Sequence, residues 1–191
     1  MNSMSHDSTS EPEASTADLV ARLRGRDPLG AEMLDRLYRD ALVRFCWGYL
    51  GRMDQAEDAV QEVCFKVLSA ADTPEHFRPW LYKIARNHCI NILRERAANH
   101  REARLPSGSL MPDSLTGHLT RLVKEEMRSK VSELVARLTE VQREVLRLRY
   151  VEELPRAEIA LVLDLPESVV KSRLFEGLKR LREYAELLEE Q

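Results

Sequence analysis

The sequence contains few of the residues that interrupt helices or build sheets. Only 7 of its 191 residues are glycine and 8 are proline, and aromatic residues make up 6% of the chain. Sandwiches and barrels need more turn-forming and aromatic residues than this, so the composition argues against them. Hydrophobic residues amount to 43%, which is enough for packed cores, and their spacing is helical. The sequence therefore predicts an all-α protein.

A long hydrophobic run and a cysteine framework are also missing. No apolar stretch approaches the ~20 residues that cross a bilayer, and residues 1–16 are polar and acidic, unlike a signal peptide. Cys46, Cys64 and Cys89 each lie within an apolar helical pattern, which is typical of buried free thiols in a reducing compartment. We expect a cytoplasmic protein with no membrane insertion.

No group of residues has the spacing of a catalytic or metal site. The five histidines do not combine with cysteine or carboxylate residues at metal-ligand spacing, and no nucleophile is paired with a base. The sequence thus predicts no catalytic residue, no metal and no cofactor. An enzyme is the least favoured class of protein.

Charge is nearly balanced in total but is segregated along the chain. The formal net charge of −3 is unfavourable for a nucleic-acid-binding protein. Between Arg78 and Arg104, however, seven basic residues stand against two acidic ones, whereas both ends of the chain are acidic. Local charge decides the attraction to phosphate. Because the chain as a whole has few basic residues in excess to neutralise phosphates, we expect the chain alone to bind DNA weakly.

The apolar pattern divides the chain into two helical units. Residues 1–17 are rich in Ser, Thr and acidic residues and are predicted to form a disordered tail. Helical patterns occupy residues 18–98 and 121–191, and residues 99–120 between them have the Pro, Gly and Ser content of a linker. The sequence therefore predicts two small helical domains joined by a flexible linker.

Local signals predict several helix ends. Gly51 closes one helical pattern. Residues 54–57 (DQAE) and 139–142 (TEVQ) have the spacing of a capping box. In such a box, the side chains of the first and fourth residues each accept a hydrogen bond from the backbone N–H of the other. Pro155 and Pro166 are expected at first helical positions, where a missing N–H costs no hydrogen bond.

Residues 157–182 have the pattern of a helix-turn-helix. A short amphipathic helix ends at the break Asp164-Leu165-Pro166, and a second helix follows with an apolar seam and basic residues around it. In such a motif the second helix enters the major groove of duplex DNA, with its first turns nearest the bases. The candidate DNA-binding residues are Glu167, Ser168, Lys171, Ser172, Arg173, Phe175, Lys179 and Arg180.

Together with two upstream segments, this block resembles one family. Residues 54–68 (DQAEDAVQEVCFKVL) and 77–96 (FRPWLYKIARNHCINILRER) resemble region 2 of the extracytoplasmic-function (ECF, group 4) sigma factors of RNA polymerase. Residues 138–182 resemble region 4 of the same family, in the right order and separation. The resemblance implies a protein that binds core RNA polymerase, recognises the −10 and −35 promoter elements and promotes duplex opening.

The resemblance also implies a role for each segment. The first would dock on the basic clamp helices of the polymerase through Asp54, Asp58, Gln61 and Glu62. The second would capture the melted −10 element, whose unstacked bases each gain ~1–3 kcal/mol by stacking on aromatic or arginine side chains. Residues 70–78 resemble the base-capture loop of the family. The −10 candidates are Phe77, Arg78, Trp80, Tyr82, Lys83, Arg86, Asn87, Asn91, Arg94 and Arg96, of which Trp80 has core spacing as well.

The second helix of the helix-turn-helix would bind the duplex −35 element, and the family implies a cognate anti-sigma protein that covers these surfaces. Two residues depart from the family pattern: Asp164 stands where glycine is usual at the turn, and Pro166 stands where a Ser or Thr cap is common. Both positions bear on the tilt of the second helix.

Two other classes of protein remain as alternatives. A regulator that binds operators without serving as a polymerase subunit could carry the same helix-turn-helix. It would need an N-terminal ligand or phosphoacceptor domain, and residues 18–98 offer no glycine-rich phosphate loop or acidic pocket for one. A helical adaptor that binds only proteins would leave the basic residues between Arg78 and Arg104 unexplained.

Overall fold

The computed structural model describes residues 10–99, 134–135 and 137–189. Seven helices lie wholly within these ranges, which contain no strand, as the composition predicts. They are α1 (Ser10–Arg24), α2 (Leu29–Leu50), α3 (Met53–Leu68), α4 (Phe77–Asn99), α5 (Glu140–Tyr150), α6 (Arg156–Leu163) and α7 (Glu167–Glu189).

Helices α1 to α4 form the N-terminal domain, in which α2 packs against the other three. Leu42, Phe45 and Cys46 of α2 are fully buried, and they belong to the same core as Val63 of α3 and Leu81 of α4. Gly51 ends α2, as expected, in the left-handed conformation with φ 71°, and its N–H donates to the carbonyl of Trp47 at 2.8 Å.

Helix α1 begins earlier than the composition predicts. The structure is helical from Ser10, so the expectation of disorder up to residue 17 is wrong for residues 10–17. Leu19 is fully buried, and the Thr16 hydroxyl lies 2.9 Å from the Tyr38 hydroxyl of α2. Once packing has fixed one turn, each further residue extends the helix at little cost, which explains the longer helix.

The capping box predicted at residues 54–57 does not form. Helix α3 begins at Met53, and its N-cap is Arg52, whose side chain makes no capping hydrogen bond. Asp54 lies within the first turn instead, where its carboxylate accepts from the Arg52 guanidinium at 2.6 Å. An acidic group there still favours the helix, since it lies near the positive end of the helix dipole.

The C-terminal domain contains α5 to α7 around a core that includes Val145, Leu148, Ile159 and Val170. The predicted capping box at residues 139–142 is confirmed. Gln142 N–H donates to the Thr139 hydroxyl at 3.3 Å, and Thr139 N–H donates to Gln142 Oε1 at 3.2 Å.

Helices α6 and α7 form the predicted helix-turn-helix. Asp164 ends α6 in the left-handed conformation (φ 54°, ψ 47°), which Asp tolerates better than most residues. Pro155 and Pro166 each precede their helix by one residue and so do not occupy the first helical position. Their carbonyls accept the first helical bonds, from Ile159 N–H at 3.0 Å and Val170 N–H at 3.2 Å, which is the backbone role of an N-cap.

The predicted linker, residues 99–120, and most of the helix expected before residue 138 lie outside the described residues. Of that helix, Leu134 and Val135 are helical and Leu138 is buried. Within the described ranges, no helix combines the length and the apolar character needed to cross a bilayer.

Thr139→Ala should destabilise the C-terminal domain by about 1 kcal/mol, because it removes the hydroxyl that accepts from the Gln142 N–H, whereas the backbone N–H that donates to Gln142 Oε1 remains. Thermal unfolding followed by circular dichroism would measure the loss. Thr139→Ser keeps the hydroxyl and is the matched control. Equal melting temperatures for the alanine and serine variants would contradict the stabilising role of the box.

Candidate nucleic-acid interface

Helix α4 carries the residues predicted to bind −10 DNA, and the structure divides them by exposure. Asn87, Asn91 and Arg94 are exposed, whereas Trp80, Lys83 and Arg86 are half-buried. Arg78, at the start of α4, is also half-buried. The polar and basic candidates thus follow α4 along much of its length.

Two aromatic candidates are not available at the surface. Phe77 and Tyr82 are each 2% exposed, so the expectation that they offer stacking surfaces is wrong for this structure. The Tyr82 ring packs edge-on against Phe45 with centroids 5.1 Å apart, and its hydroxyl donates to Glu152 Oε2 at 2.9 Å. Trp80 keeps an accessible surface although it packs on Phe77 with ring centroids 5.9 Å apart.

The partner of Tyr82 belongs to the C-terminal domain, and this contact is one of several between the domains. Glu144 of α5 accepts from Arg86 Nε at 2.6 Å, from Arg86 Nη2 at 3.2 Å and from the Tyr49 hydroxyl at 2.6 Å. The Arg147 guanidinium lies over the Tyr49 ring, 4.8 Å from its centroid. A carboxylate and two guanidinium groups therefore connect α5 with α2 and α4.

Two more cations of α4 pair with the helix-turn-helix and the loop before it. Arg78 Nη2 donates to the Glu152 carbonyl at 2.6 Å, and Arg78 Nη1 lies 3.9 Å from Glu158 Oε2. Lys83 Nζ donates to Asp164 Oδ1 at 2.6 Å. Arg78, Lys83 and Arg86, which the sequence assigns to −10 DNA, therefore all have partners in the other domain.

Helix α7 presents the −35 candidates to solvent. Arg173 is half-buried, and the other seven are exposed, with Phe175 at 68%. Val170 and Leu174 face the core, while Gly177 lies so close to α5 that an added Cβ would be 3.0 Å from Leu146 Cδ1. The packing of α7 on α5 thus buries one side of the helix and leaves its polar side free.

Comparison with known proteins assigns both domains to one family. The Sigma-70 region 2 family matches residues 34–99, and the Sigma-70 region 4 family matches residues 128–181. The ECF RNA polymerase sigma factor SigX of Bacillus subtilis is 30% identical over 84% of this chain and 86% of its own length. The chain belongs to the ECF sigma factors.

Other relatives agree with this assignment. SigW of B. subtilis is 28% identical over 83% of the chain and 90% of its own length, and SigL of Mycobacterium tuberculosis is 29% identical over 85% and 94%. The fold resembles CnrH, solved in complex with the cytosolic domain of CnrY, with a TM-score of 0.66 at 19% identity, covering 91% of this chain and 98% of CnrH. The protein is a sigma factor for transcription initiation, and the operator-binding alternative is not favoured.

The candidates for polymerase binding, three of which are acidic, all lie on the exposed side of α3. Asp54, Asp58, Gln61 and Glu62 are exposed, and Phe65 on the same helix is 67% exposed. The Arg52 guanidinium holds the pKa of Asp54 below its usual value, so this carboxyl stays ionised near neutral pH. No group of three or more His, Cys, Asp or Glu side chains in the described part of the chain could hold a metal ion.

Sequence reasoning missed the acidic residues that oppose α4. Glu144, Glu152, Glu158 and Asp164 are spread over three segments of the C-terminal domain, and no motif marks them. The one available signal was the opposite charge of α4. That signal does not select these four residues among the 32 acidic residues of the chain.

Glu152 gives the sigma factor a pH-dependent contact between its domains. The residue is 3% exposed, and this burial raises the pKa of its carboxyl above the usual value, although Tyr82, Arg44, Arg147 and Arg78 act in the opposite direction. A carboxyl with a raised folded-state pKa binds its proton more tightly when folded. Its contribution to stability is therefore greatest below that pKa and is lost as pH rises through it.

Glu152→Gln should remove this dependence. The melting temperature of the wild type relative to the glutamine variant should rise as pH falls from neutral through the raised pKa of Glu152, because only the wild type gains a proton. Thermal unfolding at a series of pH values would measure the difference. A difference that stays constant with pH would contradict the raised pKa.

Proposed function

We propose that the sigma factor uses three separate surfaces: the acidic side of α3 for core RNA polymerase, the polar side of α4 for melted −10 DNA and the exposed side of α7 for duplex −35 DNA. The observation that carries the proposal is the segregation of charge and exposure among these helices. Acidic residues are exposed on α3, whereas α4 carries the basic candidates.

The assignment of α7 to the −35 element rests on geometry. Lys171 and Ser172 are exposed within its first turns, which is where a recognition helix reaches base edges. Lys179 lies about two turns further along the helix, where contact with the DNA backbone is easier. Phe175 is exposed between these positions and can touch a base or a sugar.

Support for the −10 role of α4 comes from its mixture of side chains. Asn87 and Asn91 are exposed and lie four residues apart, which puts them on one face of the helix. Asparagine amides can bind base edges, and Arg94, one turn further, can bind phosphate. Trp80 provides the accessible aromatic surface for an unstacked base.

Two domains on one chain would raise each other's effective concentration at the promoter, so modest separate affinities suffice. Both partners, core polymerase and promoter DNA, imply a cytoplasmic protein. We also propose a protein partner of the anti-sigma class. A similar fold, that of CnrH, was solved in complex with the cytosolic domain of CnrY.

Run-off transcription with core RNA polymerase and a promoter library tests the function. We expect the sigma factor to stimulate initiation at specific start sites, because its binding energy alone has to position the polymerase and favour the open duplex. A protein that bound duplex DNA unaided and initiated nothing would be an operator-binding regulator, and the proposal would be wrong.

Arg173→Glu should impair −35 recognition, because it places a negative charge beside the DNA phosphates. Transcription from promoters that depend on the −35 element should fall about tenfold or more, which corresponds to the loss of one good contact of ~1–3 kcal/mol. Binding to core polymerase should stay intact. Arg182→Glu, the same charge change on an exposed residue further along α7, is the matched control. Equal loss of core binding would contradict the division between α7 and α3.

Asp58→Arg should weaken the complex with core polymerase, because it repels the basic clamp helices. The affinity, measured by fluorescence anisotropy with labelled sigma factor, should fall severalfold while the melting temperature stays close to that of the wild type, since Asp58 is exposed. Asp40→Arg makes the same change on an exposed position of α2 and should have little effect. Equal losses for both variants would indicate a general charge effect.

A further inference from the structure

An arginine of the first helix holds the loop between α3 and α4. This loop, residues 69–76, contains neither helix nor strand. Arg24, the last residue of α1, donates to the backbone carbonyl of Thr73 from Nε at 3.1 Å and from Nη2 at 3.0 Å. The two residues are 49 positions apart in sequence, so the contact depends on the tertiary fold and not on local sequence.

Few other contacts hold the loop on this side. In the part of the chain that the structure describes, its other hydrogen bonds stay within the loop or join it to the two helices that flank it, as when Thr73 N–H donates to Asp72 Oδ1 at 2.8 Å. A cleft of about 600 Å³ lies between α1 and residues 75–79. Because packing leaves this space open, the Arg24 guanidinium is the bridge from α1 to the loop.

Thr73 is the buried point of a largely exposed loop. It is 6% exposed, whereas Asp72, Glu75 and His76 are exposed. Since Arg24 binds a backbone oxygen, the contact does not use the side chains on either side of it. The loop thus combines one fixed backbone point with accessible polar side chains, which is how a rigid scaffold presents a recognition loop.

The loop leads directly into the proposed −10 surface. The His76 carbonyl accepts from Trp80 N–H at 3.3 Å, so the end of the loop joins the first turn of α4. Trp80 is the accessible aromatic residue proposed above to stack an unstacked base. Side chains of the loop therefore lie near the position of that base. A group that binds a ligand selectively has to be held within about 0.5 Å of its productive position.

We propose that Arg24 is a positioning residue for −10 recognition: by fixing the Thr73 carbonyl, it places the loop beside α4 and so sets the base preference at the −10 element. This inference rests on the proposed −10 role of α4. The helix that carries Arg24 is itself fixed on α2, because Leu19 is fully buried and the Thr16 hydroxyl lies 2.9 Å from the Tyr38 hydroxyl.

A direct contact of Arg24 with DNA is the alternative, since the residue is exposed. The two roles predict different results. Loss of a phosphate contact weakens binding about equally for every sequence. Loss of a positioning contact instead changes the ratio between sequences, because the loop no longer presents its side chains to one base edge in preference to another.

Arg24→Ala in the full chain, combined with core RNA polymerase, is the first test. Run-off transcription from promoters that carry each of the four bases in turn at every −10 position measures the base preference. The ratio between the best and the poorest base should fall about fivefold or more at one position at least, which is the discrimination of one good base contact. Preference at the −35 element should stay unchanged. Arg24→Lys keeps the charge but not the planar pair of N–H donors, so it should retain an intermediate ratio.

Hydrogen–deuterium exchange of the free chain is the second test, and it needs neither promoter nor polymerase. Backbone amides of residues 70–76 should exchange faster in Arg24→Ala than in the wild type, because the loop has lost its bridge to α1. Arg22→Ala is the matched control for both tests. Arg22 belongs to the same helix, but its partners are Asp18 at 3.2 Å and Asp27 at 2.7 Å, so its loss should leave the loop and the base preference unchanged.

Faster loop exchange together with a reduced −10 ratio supports the positioning role. Unchanged exchange, or an equal loss of transcription for all four bases, would overturn it and leave the proposed −10 function standing. A wild type with no base preference at the −10 element would overturn both. Each ratio compares promoters read by the same variant, so it can be measured even if total activity falls, and Arg24→Lys supplies the comparison if the alanine variant does not fold.

Discussion

The hydrogen bond between Tyr82 and Glu152 is the interaction on which the arrangement of the two domains depends. Tyr82 belongs to the core of the N-terminal domain through Phe45, while Glu152 lies in the loop between α5 and α6. In the same loop, the backbone carbonyl of Glu152 accepts a hydrogen bond from Arg78. This short loop of the C-terminal domain therefore binds two residues in the first turns of α4, Arg78 and Tyr82.

The energetics of this contact combine a cost of burial with favourable pairing. A carboxylate buried as deeply as Glu152 loses solvation, and the hydrogen bond and nearby arginines recover only part of that loss, which is why its pKa is raised. The ion pair of Arg86 and Glu144 is better compensated, because both guanidinium bonds and a tyrosine hydroxyl reach one carboxylate. Because its favourable and unfavourable free-energy contributions partly offset each other, the contact can define one arrangement of the domains without making that arrangement permanent.

Much of the fold could be predicted from the sequence because its signals are local. Helical spacing, Gly51 and the capping box at Thr139 depend on neighbours within a few residues, and each was found in the structure. The box expected at Asp54 did not form because the N-cap is Arg52, two residues earlier, and the Arg52 guanidinium binds the Asp54 carboxylate instead. The burial of Tyr82 could not be predicted, because its hydrogen-bond partner lies seventy residues away in sequence. The spacing of apolar residues along α4 also permits either side of the helix to face the core.

Asp164 shows how one unusual residue can serve two parts of the molecule. Glycine would adopt the backbone conformation at this turn more easily, but it has no carboxylate to offer Lys83. Asp164, which forms the turn between α6 and α7, is therefore also the residue that Lys83 of α4 binds. A change in the angle between α6 and α7 would therefore also move the carboxylate that Lys83 binds, so the geometry of this turn and the position of α4 are linked.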